Sequence, residues 1–151
     1  MNNFKALVSY RGFLFTVAKQ FTLGKKERLK SRKLIEQLFH EGKNFSVSPL
    51  RIHYLINKKI VDPPLLFATS VSAKNFKKAV DRNRIKRLLR EAYRLRKLSL
   101  QEKMQTKEMQ LCIFINYTGK ELPDFILVKE KVAVALNKLS KIVDENSAQD
   151  S

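Results

Sequence analysis

The spacing of apolar residues divides this chain into six regular segments. From Ser31 to Glu41, Leu34, Ile35, Leu38 and Phe39 recur at helical spacing, and Gly42 stands where a helix commonly ends. Between Leu50 and Ile56 the pattern changes to alternation. Leu50, Ile52, Tyr54 and Ile56 interleave with Arg51, His53 and Leu55, which predicts a strand with one face inside, opened by Pro49. Asp62-Pro63-Pro64 predicts a turn, and Leu65 to Ser72 a second strand pairing with the first as a hairpin. Residues 81 to 96 read as a helix with an apolar stripe of Ile85, Leu88, Leu89, Ala92 and Leu95. Asp81 is the expected N-cap, with Val80 and Ile85 as a hydrophobic staple. The segment 98–110 is polar. Leu111 to Ile115 reads as a fully buried strand, followed by a turn near Thr118-Gly119 and a last amphipathic helix from about Phe125 to Val143.

The order α-β-β-α-β-α predicts an α+β fold, a small mixed sheet packed by helices. One domain of ordinary size suffices for the 151 residues, with the body at 21–143, an N-terminal extension at 1–20 expected to be flexible, and a polar, acidic tail at 144–151 expected to be disordered. A hydrophobic content of 44% provides a real core. Charge alters this ordinary picture. Thirty-one Lys and Arg face 14 Asp and Glu, a formal charge of +17, which calls for an anionic partner. The excess is local: residues 74–97 hold 11 basic and 2 acidic side chains, and residues 19–33 hold 7 and 1. Concentration of this kind predicts a shaped nucleic-acid surface.

Catalytic and metal-binding constellations are missing from the pattern. His40 and His53 fall in different elements, and no His or Cys pair has metal-ligand spacing. None of the four glycines builds a phosphate-cradling motif. Glu36 and Glu41 read as a solvated helix surface. Cys112 is the single cysteine, so no internal disulfide forms, and its apolar neighbours predict a buried thiol in a reducing, cytoplasmic setting. Near the N-terminus, Ala6-Leu7-Val8 and Phe13-Leu14-Phe15 are interrupted by Arg11 and Gly12, too short and broken for a signal peptide or membrane span.

Two surfaces remain. Projected at 100° per residue, Asn83, Lys86, Arg87, Arg90 and Arg94 lie opposite the apolar stripe, flanked by Arg82 and Arg84. Only Asp81 and Glu91 supply the opposite sign, so this face suits RNA phosphates better than plain solvent. Arg51 and His53 point away from the buried side of their strand, where, with Phe39 and Ile35 nearby, they form a candidate site for a single strand. For Phe39 the competing role is core packing.

The run Val80-Asp81-Arg82-Asn83-Arg84-Ile85-Lys86-Arg87-Leu88-Leu89-Arg90-Glu91-Ala92-Tyr93-Arg94 closely resembles the signature helix of the bacterial ribonuclease P protein family. The resemblance extends through Arg28-Leu29, Phe39, Gly42, Ser70-Val71-Ser72 and the strand at 111–115, covering about residues 21–143. It implies that the second strand, signature helix and third strand form a left-handed β-α-β crossover, rare among parallel units. It implies a protein subunit of an endoribonuclease whose RNA subunit performs the magnesium-dependent removal of the 5′ leader of precursor tRNA. The protein then has no catalytic residue, no metal site and no cofactor of its own. On that resemblance, Arg82, Asn83, Arg84, Lys86, Arg87 and Arg90, continued by Arg94, meet the catalytic RNA, while Ile35, Phe39 and His53, beside Arg51, meet the leader of precursor tRNA. Neither a protein partner nor a membrane is implied. The chain departs from the family pattern in the stretch Lys74–Lys78, which lacks the usual glycine, and at Asn116-Tyr117, where an arginine is common; Ile35 and His53 replace aromatics. The competing classes are a ribosomal or other structural RNA-binding protein and a secreted or membrane-surface cationic protein.

Overall fold

The computed structural model describes residues 23–59 and 61–149. The expected N-terminal extension lies outside them, as do residues 150 and 151. After a short 3-10 turn at Lys25–Glu27, the elements are α1 (Arg32–Glu41), β1 (Lys43–Val47), β2 (Leu50–Asn57), β3 (Leu65–Val71), α2 (Ala79–Thr106), β4 (Gln110–Tyr117) and α3 (Phe125–Gln149). The fold is α+β, with a mixed four-stranded sheet in the order β1-β2-β4-β3. Pairing is antiparallel from β1 to β2 and from β2 to β4, and parallel from β4 to β3.

The hairpin expected between the strands at 50–56 and 65–72 does not form. β4 lies between them, and β2 instead makes its hairpin with β1 through Ser48 and Pro49. Two causes combine. β1 is a five-residue edge strand whose only large apolar side chains, Phe45 and Val47, leave no long alternation to detect. β4 carries apolar residues on both faces and so lies between two strands, with one face in the larger core and Cys112 of the other in the small core with Leu29 and Leu38. The crossover that makes β3 and β4 parallel is α2.

Alternation within the strands creates two cores. Leu50, Ile52 and Tyr54 of β2, Leu65 and Phe67 of β3, and Leu111, Ile113 and Ile115 of β4 pack beneath α2 and α3. On the other face Leu66 and Cys112 pack with Leu38 of α1 and Leu29. Burial pushes the Cys112 thiol up to about 11, so it remains a protonated packing group. α1 begins at Ser31, whose hydroxyl accepts from the Leu34 N–H. It ends at Gly42, where a Cβ would lie 2.2 Å from the Leu38 carbonyl oxygen and 2.8 Å from that of Tyr54. This close approach sets α1 against one end of the sheet and leaves the rest of that face open.

α2 is longer than the apolar stripe predicts. Its buried seam runs Ile85, Leu89, Ala92, Tyr93, Lys97, Leu100 and Met104, so the polar segment after Leu98 is its last turns. Leu95, expected inside, is 36% exposed, and Val80 is 76% exposed, so the expected staple is not made. The N-cap position belongs to Lys78, and Asp81 sits within the first turn, where its charge favours the helix dipole. α3 likewise continues to Gln149 through the segment expected to be disordered. The reason is tertiary: Asp144 accepts from Lys103 at 2.7 Å and Lys107 at 2.9 Å, and the Lys107 ammonium also donates to the Ser147 hydroxyl. These hydrogen bonds hold the Asp144 carboxyl below its ordinary range.

Candidate nucleic-acid interface

The inner side of α2 fixes the direction of its outer side. Tyr93 is fully buried and stacks on Phe67 with ring centroids 3.8 Å apart and planes 2° from parallel. Asn83, Arg84 and Arg87 consequently stand exposed, with Lys86 and Arg90 half-buried beside them. None of these four cations makes an ion pair with a carboxylate among the described residues. The two remaining predicted residues differ. The Arg82 guanidinium donates to the carbonyls of Phe76 and Lys77, both at 2.8 Å, and so fastens the loop that enters α2. Arg94 pairs with Glu91, and their hydrogen bonds move both groups further into their charged ranges. That pair is the intrahelical arrangement of a solvated face.

A second surface forms where α1 stops short. In register across the sheet, Asn44, His53, Phe114 and Ala68 make one row on the open face, and Ser46, Arg51, Asn116 and Ser70 make the next. Phe39 of α1 leans over the first row, 4.8 Å from the His53 ring and 5.1 Å from that of Phe114. In the second row Ser70 donates to Asn116 at 2.9 Å, and Arg51 reaches Asn44 at 3.5 Å. Thus Phe39, Arg51 and His53 are brought together, while Ile35 is partly buried against the small core under α1. Phe114, Asn116 and Ser70 complete the face although sequence reasoning missed them as site residues. The signal was available in Asn116, a polar residue two positions from Phe114 that follows the apolar run 111–115 of β4.

His53 is held below its ordinary value of 6.5, chiefly by burial and then by the Arg51 charge. The ring is neutral at pH 7. A phosphate placed beside it would favour the protonated form, so binding of a single strand is expected to strengthen as pH falls below 6.5. In the free protein the sign is opposite: a depressed histidine makes the unfolded chain bind more protons, and stability drops as pH falls through the same window. Titrating single-strand affinity from pH 8 to 5 checks this; a His53→Phe protein should lose that dependence.

Phe39 is 49% exposed, which argues against the core-packing role. It caps the ring cluster at the open face and leaves the core beneath α1 to Leu38. Phe39→Ala should therefore change stability by less than about 1 kcal/mol, well short of the loss on emptying a core site. Melting curves that fell as for a buried phenylalanine would contradict this placement.

Comparison with known proteins identifies the family to which this α+β chain belongs. The ribonuclease P family model matches residues 23–140. The chain belongs to the ribonuclease P protein family. The ribonuclease P protein component of Porphyromonas gingivalis is 37% identical over 130 residues, covering 86% of this chain and 95% of its relative. That of Chlorobium phaeobacteroides is 32% identical over 128 residues, covering 78% and 88%. Among solved structures, the RNase P protein of Staphylococcus aureus superposes with a TM-score of 0.57 at 20% identity, covering 78% of this chain and 97% of that one. That of Thermotoga maritima gives 0.55 at 25% identity, covering 74% and 96%. The chain is thus the protein component of an endoribonuclease holoenzyme, ribonuclease P, which acts in tRNA 5′ processing. Among the described residues, no helix is long and apolar enough to cross a membrane.

Proposed function

We propose that the chain divides two RNA partners between two faces. The outer face of α2 docks on the catalytic RNA subunit through Arg84, Lys86, Arg87 and Arg90, with Asn83 among them. Each cation placed on a phosphate releases condensed counterions, and each arginine offers paired donors to phosphate oxygens. Arg82 contributes by holding the loop at 76–78 in place, and Arg94 joins only by exchanging its bond to Glu91. The open sheet face receives the single-stranded 5′ leader of precursor tRNA: bases stack against Phe39, His53 and Phe114, while Arg51 with Asn116 and Ser70 meets phosphate and sugar.

The chain itself supplies position and charge. Leader removal and its magnesium requirement belong to the RNA subunit, and the setting is the cytoplasm. The observation that carries this reading is the separation of a charge-only surface from a surface with rings, since phosphates need the first and unpaired bases the second. A structural RNA-binding protein without a processing role needs only the first. The direct test mixes the chain with catalytic RNA and precursor tRNA at low magnesium. Leader removal is expected to rise above the level of RNA alone; equal rates would refute the proposal.

A further inference from the structure

The basic stretch at 19–33 contributes Arg28 and Lys30, and the fold carries both to the flank of α2. The Leu29 N–H donates to the Phe67 carbonyl at 2.9 Å, and Arg28 bridges Phe67 in parallel, so this segment runs along the free edge of β3. Two anchors hold it there. Leu29 is buried in the small core, and Glu27 pairs with Lys97 of α2, itself only 1% exposed. Beside the segment lies a groove of about 250 Å³ whose lining includes Arg28, Lys30, Thr69, Lys86 and Arg90.

Four cations from two separate elements converge on this groove. None pairs with a carboxylate among the described residues, so their mutual repulsion is offset only by an anion from outside. Phe67, the aromatic residue at its wall, is 2% exposed and already stacked on Tyr93, which leaves no ring for a base among the described residues of the lining. Charge without a stacking platform is the chemistry of a sugar–phosphate backbone. Lys86 and Arg90 also belong to the face of α2 assigned above to the catalytic RNA.

We propose that this groove is a preformed site for the backbone of the RNA subunit, in which Arg28 and Lys30 extend the α2 contact around the edge of β3. The proposal rests on the α2 docking reading. Because Leu29 and Glu27 already fix the segment, its backbone adds little ordering cost on binding, which leaves that of the two exposed side chains.

The experiment titrates the full chain against the catalytic RNA subunit over a range of salt concentrations, comparing wild type, R28A/K30A and R84A/R87A. Both substituted side chains at 28 and 30 are exposed, so unchanged melting temperature verifies the fold. R28A/K30A is expected to raise Kd roughly tenfold or more and to lower the magnitude of the salt slope by about two. If R84A/R87A weakens binding and R28A/K30A does not, the groove assignment is overturned while the α2 reading stands. If neither does, both fall. Intact RNA-subunit affinity with a lost preference for precursor over mature tRNA would move the groove to the leader and overturn the assignment as well.

Discussion

Tyr93→Ala is expected to lower stability by about 3–5 kcal/mol, the loss typical of a fully buried aromatic residue replaced by alanine. The ring fills the space between α2 and β3 and lies flat on Phe67. Deleting it leaves a cavity next to Ile85, Leu89 and Ala92, the residues that hold the helix down. For a chain of this size the melting temperature should fall by on the order of 10 °C. Tyr93→Phe separates the ring from its hydroxyl. That hydroxyl is buried with no hydrogen-bond partner among the described residues, and burial pushes its pKa up. Removing an unpaired polar group should leave stability equal or higher. A Phe variant that melted well below wild type would show that the hydroxyl makes a stabilising bond.

The second large effect is on binding. Replacing Arg84, Arg87 and Arg90 together with alanine should reduce the magnitude of the salt slope for RNA-subunit binding by about three and raise Kd by roughly a hundredfold or more. Arg90→Ala alone should lower it by about one. Melting temperature should hardly change, because these side chains lie off the buried seam. Filter binding at several salt concentrations gives the slope. A slope that stayed at the wild-type value would mean that the arginines do not meet phosphates. Arg82→Ala is different in kind. Its two bonds to the carbonyls of Phe76 and Lys77 hold the loop entering α2, so its loss should disturb that loop as well as the charge.

How much of this was legible in the sequence depended on whether a signal was local. Ser31 and Gly42 bound α1 because a cap and a close backbone approach are written in single residues. The basic face of α2 was legible because charge and helical period coincide over several turns. Its length was not, since Lys97 interrupts the apolar seam, and its pairing with Glu27, 70 residues earlier, which helps make that position compatible with burial, is invisible locally. The acidic end of α3 reads as disorder until Lys103 and Lys107 are brought beside Asp144 by tertiary packing. Strand order was hidden for a related reason. Alternation reveals which face of a strand is buried but not which strand lies next to it, so β2 and β3 read as partners while β4 separates them. The open sheet face was half legible: Arg51 and His53 stand out in an alternating strand, whereas Phe114 was concealed in an apolar run.

Separate faces for separate RNAs is the central claim, and the preference of the assembled holoenzyme for precursor over mature tRNA tests it most directly. The two ligands differ by the leader alone. With Phe39→Ala and Phe114→Ala combined, the ratio of the two dissociation constants should fall by roughly tenfold or more, the equivalent of at least one lost base stack, while affinity for the RNA subunit remains at its wild-type value. An unchanged ratio would contradict the assignment of the leader to the open sheet face.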